Sequence, residues 1–126
     1  MDVSALSVSA HQSISKVINY PNPAGKGYAH PSGEGHTTIQ FQLTRPAQDY
    51  GINIYTLSAD LVKKIGKDDI QLQVGTTTGR SADYKWVYEY VWDLTNGDGR
   101  HVAPGVYLYM IRADGESKSG KAVIIR

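Results

Sequence analysis

Hydrophobic and polar side chains alternate along most of this chain with a period of two residues. Between positions 37 and 43, Ile39, Phe41 and Leu43 share one face of an extended segment, while glutamines occupy the positions between them. A strand with only one buried face requires this alternation. The same pattern, with β-branched and aromatic residues dominant and turn residues between segments, predicts further strands at 15–20, 51–58, 61–65, 70–74, 84–93, 105–113 and 118–126.

The pattern also limits the architecture. No segment carries an apolar i, i+3, i+4, i+7 stripe that is long enough for a packed helix. Because a parallel sheet needs crossover helices, we expect the strands to be mainly antiparallel. Seven or eight short strands with turns between them favour a two-sheet sandwich. A closed barrel is the competing architecture.

Turn residues and composition divide the chain into a terminal segment and one domain. The first 13 residues are rich in Ser and Ala and have no period, so we expect a linker or frayed end over 1–13 and a single domain over 14–126. Pro21-Asn22-Pro23 removes two backbone donors and should end the first strand. The segment 24–35 holds four glycines and a proline, which is typical of a loop or of a crossover between sheets.

Composition excludes several classes of function. The chain contains no cysteine, which rules out disulfides, thiolate nucleophiles and zinc–thiolate sites. Its formal charge is +1, from 13 basic and 12 acidic residues mixed along the sequence, whereas a nucleic-acid partner needs a concentrated basic face. No run of about 18 apolar residues is present, so we expect no membrane span. The N-terminus lacks the features of a signal peptide, so any export signal should lie upstream.

The segment 86–92 carries a candidate binding feature. Its alternation puts Trp86, Tyr88, Tyr90 and Trp92 on one face. An exposed strip of aromatic rings would suit stacking on sugar rings, which would make the domain a carbohydrate-binding accessory module. We favour the alternative that these rings fill the space between two sheets, because the chain has only one Phe to supply large core residues.

Other candidate sites lack the spacing that their chemistry needs. The segment 93–99 resembles a calcium loop, but counting from Asp93 puts a glycine and a proline where ligands belong. An Asn96-Gly97 hairpin turn is the preferred interpretation. Four histidines, at positions 11, 30, 36 and 101, have no Glu or Cys at metal-binding spacing. No nucleophile elbow, zinc-protease or phosphate-binding motif occurs, so we expect no catalytic, metal-binding or cofactor-binding residues and no enzyme.

The last predicted strand runs to the final residue of the chain. Its candidate functional positions alternate between basic and apolar side chains and comprise Gly120, Lys121, Val123, Ile125 and Arg126. As an ordinary closing strand, this segment completes a sheet. As a sorting element, it would be bound by a transport partner through pairing at a sheet edge. The sequence leaves both interpretations open.

Several stretches, taken in order, make up a family resemblance from Val17 to the end of the chain. They are 17–23 (VINYPNP), 37–41 (TTIQF), 52–62 (INIYTLSADLV), 92–93 (WD), 99–100 (GR), 102–107 (VAPGVY) and 119–123 (SGKAV). Together they resemble the immunoglobulin-like module of the flagellar hook-capping protein. They are still more similar to its relatives at the C-termini of secreted bacterial proteins, including the type IX secretion sorting domains. The resemblance implies an all-β fold, an antiparallel immunoglobulin-like β-sandwich of seven to eight strands.

The resemblance further implies a role without chemistry. We expect a non-catalytic C-terminal module of a larger exported bacterial protein, located outside the cell or on its surface. It would act in sorting, surface attachment or protein–protein assembly. Its partners would be other domains of the parent protein and the secretion or cell-envelope machinery. The alternatives are a carbohydrate-binding accessory module and a passive spacer within a larger surface protein.

Overall fold

The computed structural model describes residues 14–25, 35–74 and 86–125 of the chain. Within these ranges it contains one 3₁₀ turn, Lys67–Asp69, and nine strands. The strands are β1 (Ile14–Tyr20), β2 (Ala24–Gly25), β3 (Thr37–Leu43), β4 (Tyr50–Thr56), β5 (Leu61–Gly66), β6 (Gln71–Val74), β7 (Trp86–Trp92), β8 (Gly105–Ala113) and β9 (Glu116–Ile125). The alternating pattern therefore located every strand longer than two residues in this part of the chain.

The strands form two sheets. One has four strands in the order β1-β3-β7-β6, and the other has five in the order β2-β9-β8-β4-β5. All neighbours are antiparallel except β2 and β9, which run parallel. One buried core lies between the sheets and takes residues from both, so the predicted immunoglobulin-like β-sandwich is confirmed.

Strand β2 is the addition to the predicted set. The segment 24–35 was expected to be a loop or a crossover, but Ala24 and Gly25 pair with Ile124 and Ile125 of β9. Two residues are too few to show a hydrophobic period, which explains why the pattern could not reveal this strand. The predicted linker 1–13 and the remainder of the predicted loop, 26–34, lie outside the described residues.

The core is formed by the inward-facing positions of the central strands. Ile39, Phe41 and Leu43 of β3 are completely buried, as the alternation predicts, and Trp92 of β7 is buried with them. The Phe41 ring stacks on Tyr88 with their centroids 5.1 Å apart. Burying each such side chain contributes roughly 1.5–3 kcal/mol, so this layer of rings and aliphatic groups accounts for much of the stability of the sandwich.

Buried polar side chains tie the two sheets together where β1 ends. The Tyr109 hydroxyl of β8 donates to Asn19 Oδ1 of β1 over 2.9 Å, and Asn19 Nδ2 donates to Thr37 Oγ1 over 3.1 Å. The Thr37 hydroxyl in turn donates to the carbonyl oxygen of Pro21 at 2.9 Å. Burial raises the pKa of Tyr109 to about 12. The polar groups of this chain of hydrogen bonds thus satisfy one another, as a low-dielectric interior demands.

The segment around Asn96 forms a turn, but not a hairpin between neighbouring strands. β7 and β8 belong to different sheets, so this loop is a crossover between the two layers. Asn96 Oδ1 accepts hydrogen bonds from the backbone N–H groups of Asp98 (2.9 Å) and Arg100 (3.0 Å). Gly99 has a φ of 84°, which favours glycine. A short bridge between Thr95 and His101 closes the turn.

Replacing Gly120 by alanine should destabilise the sandwich. Gly120 lies directly opposite Tyr109, and an added Cβ would contact its ring, lying only 2.9 Å from Cε1. Because the Tyr109 hydroxyl is anchored to Asn19, we expect a loss of about 1–3 kcal/mol in the free energy of unfolding, measured in urea. Gly66→Ala is the control, since no atom lies within 4 Å of its added Cβ. Equal stability of the two variants would contradict this packing.

The raised pKa of Tyr109 predicts a specific alkaline instability. Because the folded pKa is about 12 and an unfolded tyrosine titrates near pH 10, the unfolded state loses its proton first. The free energy of unfolding should therefore fall as pH rises from about 10 to about 12. Tyr109→Phe should reduce that slope by up to about 1.4 kcal/mol per pH unit, measured by urea unfolding at each pH. An unchanged slope would show that this hydroxyl is not protected.

Candidate functional site

Of the two interpretations of the C-terminal strand β9, a closing strand and an edge open to a transport partner, the structure favours the first over residues 121–125, where the flank of the strand is occupied. Ala24 and Gly25 pair with its last residues. The Asn22 side chain covers the preceding ones, since Nδ2 donates to the carbonyl oxygen of Lys121 (3.2 Å) and Oδ1 accepts from the Val123 N–H (2.9 Å). The physical reason is that an Asn side chain carries the same donor and acceptor as a peptide group.

The candidate sorting residues separate into two sets according to the face of the sheet. Gly120 faces the core beside Tyr109. Lys121 and Val123 are paired with the outward-facing Leu108 and Val106 of β8, and Ile125 follows them on the same face by strand alternation. Arg126 lies outside the described residues. The side chains of β9, rather than its backbone edge, are thus the part of this strand that a partner can contact.

The outer face of the five-stranded sheet has an apolar centre. Strand β8 places Val106, Leu108 and Met110 there, while its alternate residues Tyr107, Tyr109 and Ile111 point into the core, so this central strand is apolar on both faces. Val123, Ile125 and Leu61 extend the apolar area, and the three most exposed members are Leu61 at 57%, Ile125 at 39% and Met110 at 37%. An exposed apolar patch of this kind marks an interaction surface more often than chance.

Three cations border that apolar centre, on both sides and at one end. Lys64 of β5, Arg112 of β8 and Lys121 of β9 all lie on this outer face. The outward strand positions of the face contain no carboxylate within the described residues, and the nearest acidic residues, Asp49, Asp114 and Glu116, line a pocket beside Arg112 at one end of it. Gly51 makes room for the arginine, because a Cβ at that position would lie 3.1 Å from Arg112 Nη2. We call this surface, with its apolar centre and these three cations, the basic-rimmed face.

The aromatic strip of β7 faces the core. Tyr88 and Trp92 are buried, and Trp86 and Tyr90 are partly buried against the same cluster. Trp92 Nε1 donates to the carbonyl oxygen of Thr95 over 2.8 Å. Burial raises the pKa values of Tyr88 and Tyr90. This placement matches the interpretation that the rings fill the core. On this strip, only the partly exposed sides of Trp86 and Tyr90 could stack on a sugar.

The outer face of the four-stranded sheet carries a polar network that the sequence analysis did not single out. Glu89 Oε2 accepts hydrogen bonds from the Tyr20 hydroxyl and from Gln40 Nε2, both at 2.7 Å. Gln42 Nε2 donates to Gln40 Oε1 at 3.3 Å. The hydrogen bond to Glu89 is the main cause of a raised pKa at Tyr20. The alternation that predicts the core could have revealed this network, because it places Gln40, Gln42 and Glu89 together on the opposite face of the sheet.

The segment that resembled a calcium loop is engaged in protein contacts. The Thr95 hydroxyl donates to Asp93 Oδ1, and Lys63 Nζ donates to Thr95 Oγ1 (3.1 Å) and lies 3.8 Å from Asp93 Oδ1. Burial alone would raise the pKa of Asp93, but the Thr95 hydrogen bond and the Lys63 charge outweigh it and lower the pKa. In the described ranges, no group of three or more His, Asp or Glu side chains is placed to hold a metal ion.

A cleft of about 520 Å³ opens beside this loop, between the β4–β5 hairpin and the 96–103 crossover. Its walls include Leu61, Val62, Val102 and Tyr107. The Gly97 N–H donates to the Val62 carbonyl oxygen over 3.0 Å, which fixes the crossover to the hairpin. Among the residues that the structure describes, no helix is long and apolar enough to cross a membrane.

The strand order and the core shared by the two sheets define a mainly antiparallel immunoglobulin-like β-sandwich. No family model matches the chain, and no curated protein matches it at a significant level. Among solved structures, it is similar to part of the crystal structure of dimeric latent PorU from Porphyromonas gingivalis, with a TM-score of 0.57 and 22% identity. The match covers 91% of this chain and 9% of that chain. At this identity the similarity establishes a shared fold.

Removing the Asn22 side chain should open the flank of β9. Asn22→Ala deletes the bonds to Lys121 and Val123, so we expect a loss of about 1–2 kcal/mol in the free energy of unfolding and a Val123 amide that exchanges at least about tenfold faster with deuterium. Asn22→Asp keeps the acceptor for Val123 and is the matched control, so its Val123 amide should stay protected. Equal exchange in wild type and Asn22→Ala would contradict the described cover.

Proposed function

We propose that this chain is a non-catalytic module of a larger exported bacterial protein. It acts in sorting, surface attachment or protein–protein assembly, outside the cell or on its surface. The sequence resemblance to C-terminal modules of secreted bacterial proteins supports this role. The PorU structure supports it more coarsely, because the shared fold occupies only 9% of that chain and so occurs there as part of a much longer protein.

One observation carries the proposal, namely the basic-rimmed face. Its exposed members Leu61, Met110 and Ile125 leave aliphatic surface in contact with water. A partner that covers this surface gains about 25 cal/mol for each Å² of apolar area removed from water. An apolar centre surrounded by charged side chains is the usual anatomy of a protein–protein interface. A partner that covers this centre and contacts the cations would therefore gain both burial and specificity.

The position of β9 explains why the end of the chain belongs to this surface. Both flanks of residues 121–125 are occupied, by β8 on one side and by Asn22 and β2 on the other. Lys121, Val123 and Ile125 are consequently held at strand spacing with their side chains directed outward. A partner would therefore contact the outward side chains of this strand and would not pair with its backbone.

The charge of the face defines the partner's chemistry. Lys64, Arg112 and Lys121 favour a protein surface that offers an apolar area bordered by Asp or Glu side chains. The same charges disfavour the pairing of this face with itself, because like charges would meet across the contact. The partner we propose is a component of the secretion or cell-envelope machinery, or another domain of the parent protein.

Reversing one charge on this face should block delivery of the parent protein. We expect Lys121→Glu, introduced into the full-length parent in its own organism, to lower export or surface attachment at least about tenfold. Lys118→Glu is the matched control, because Lys118 is an exposed lysine of the same strand paired with the core residue Ile111 and so faces the other way. Immunoblots of cell, surface and medium fractions measure the outcome.

Two substitutions of apolar residues distinguish the loss of this interface from a general effect of the changed charge. Ile125→Asp lies on the basic-rimmed face, and Leu72→Asp replaces a comparably exposed aliphatic residue of β6 in the other sheet. Delivery should fail with the first and persist with the second, while thermal melting of both isolated chains checks that the sandwich still folds. Normal delivery of both Lys121→Glu and Ile125→Asp would overturn the proposal and favour a passive spacer.

A further inference from the structure

A straight row of side chains crosses the outer face of the four-stranded sheet. Strand register places Ile18, Gln40, Glu89 and Gln71 opposite one another on β1, β3, β7 and β6. Gln42 lies one outward position along β3 from Gln40. Every strand of the sheet thus contributes to one continuous row, and three of its four members are polar.

The hydrogen bonds within the row fix the orientation of its groups. Gln40 donates through Nε2 to Glu89 and accepts through Oε1 from Gln42, so its amide has one defined orientation. Glu89 Oε2 takes both the Tyr20 hydroxyl and Gln40. Within the described part of the chain, no hydrogen bond uses Glu89 Oε1, Gln42 Oε1 or the side-chain amide of Gln71. The row therefore presents oriented acceptors and donors to solvent.

Apolar side chains flank this row. Tyr20 is 44% exposed and Val91 is 51% exposed, and the bond from the Tyr20 hydroxyl to Glu89 holds its ring at the sheet surface. Beside the row, a depression of about 240 Å³ is lined by Asp69, Gln71, Glu89, Tyr90 and Val91. A ligand lying on the row would contact polar groups along its length and an aromatic or aliphatic group at its margin.

These groups select one class of ligand. Two carboxylates, Asp69 and Glu89, are too few for a metal site. They outnumber the one lysine that the described residues place on this face, Lys16 opposite Gln42, and so disfavour a phosphate or another anion. Carboxylate acceptors beside amide donors match hydroxyl groups, each of which donates and accepts at once. An exposed Tyr ring offers an apolar surface with a polar end to the CH groups of the same molecule.

We propose that this row is a binding site for a neutral carbohydrate, with Glu89, Gln40 and Gln71 bonding its hydroxyls and Tyr20 contacting its ring. The site differs from the aromatic strip of β7, whose side chains face the core. It lies on the sheet opposite the basic-rimmed face. Failure of sugar binding would therefore leave the proposed assembly function unaffected, and the reverse also holds.

Titration of the full chain with defined sugars tests the proposal. The probes are neutral oligomers of glucose, mannose, xylose and N-acetylglucosamine, added to ¹⁵N-labelled protein and followed by NMR. At least one should give saturable shifts with a dissociation constant in roughly the millimolar range. The shifts should map to the row of Ile18, Gln40, Glu89 and Gln71 and to the adjacent Tyr20.

Matched variants separate this site from other surfaces. Glu89→Gln keeps the shape of the side chain and an acceptor for Tyr20, yet should weaken binding at least about tenfold; Tyr20→Ala should do the same by removing the ring. Lys121→Glu, on the other sheet, should bind as wild type does. The proposal is overturned if no sugar gives saturable shifts, if the shifts map to Trp86 and Tyr90 instead, or if a folded Glu89→Gln variant binds with unchanged affinity.

Discussion

The pair of hydrogen bonds between the Asn22 side chain and the backbone of β9 is the constraint on which the presentation of the last strand depends. The turn at Pro21-Asn22-Pro23 takes the chain from the four-stranded sheet to the five-stranded one. Asn22 then occupies the flank of β9 as a peptide group would, and Ala24 and Gly25 continue the pairing. The sandwich is thereby closed on this side, and a potentially adhesive edge is covered. The last strand becomes a rigid part of a sheet.

With this flank of β9 covered, the two outer faces of the sandwich remain as surfaces that a partner can contact, and they differ in chemistry. The basic-rimmed face combines aliphatic side chains with Lys64, Arg112 and Lys121, which suits a protein partner bearing carboxylates. The opposite face carries an oriented network of amides and a carboxylate around Glu89, which suits a hydroxylated ligand. A module with two such faces can hold one partner on each side, because the buried core separates them by the full thickness of the sandwich.

The sequence predicted the strands and the direction of their side chains, because burial on one side forces a period of two on residues such as Ile39 and Phe41. It did not reveal β2, which is too short to have a period. It left open whether β9 lies at an edge, because the cover comes from Asn22, 99 and 101 positions away from the residues that it bonds. It could not decide whether the strip from Trp86 to Trp92 faces inward, since alternation is identical for a buried and an exposed face. The Gln40–Glu89 contact required the register between β3 and β7, which no local pattern encodes.

Nuclear Overhauser measurements on the wild-type chain test the central claim most directly. If residues 22–25 cover the last strand, cross-peaks should connect the Asn22 side-chain amide with the Val123 amide proton, and the backbone of Ala24 with that of Ile124. Cross-peaks from both contacts, together with slow exchange of the Val123 amide, are the predicted result. Their absence, with residues 121–125 exchanging as an open edge, would contradict the closure of the sandwich and with it the fixed presentation of the basic-rimmed face.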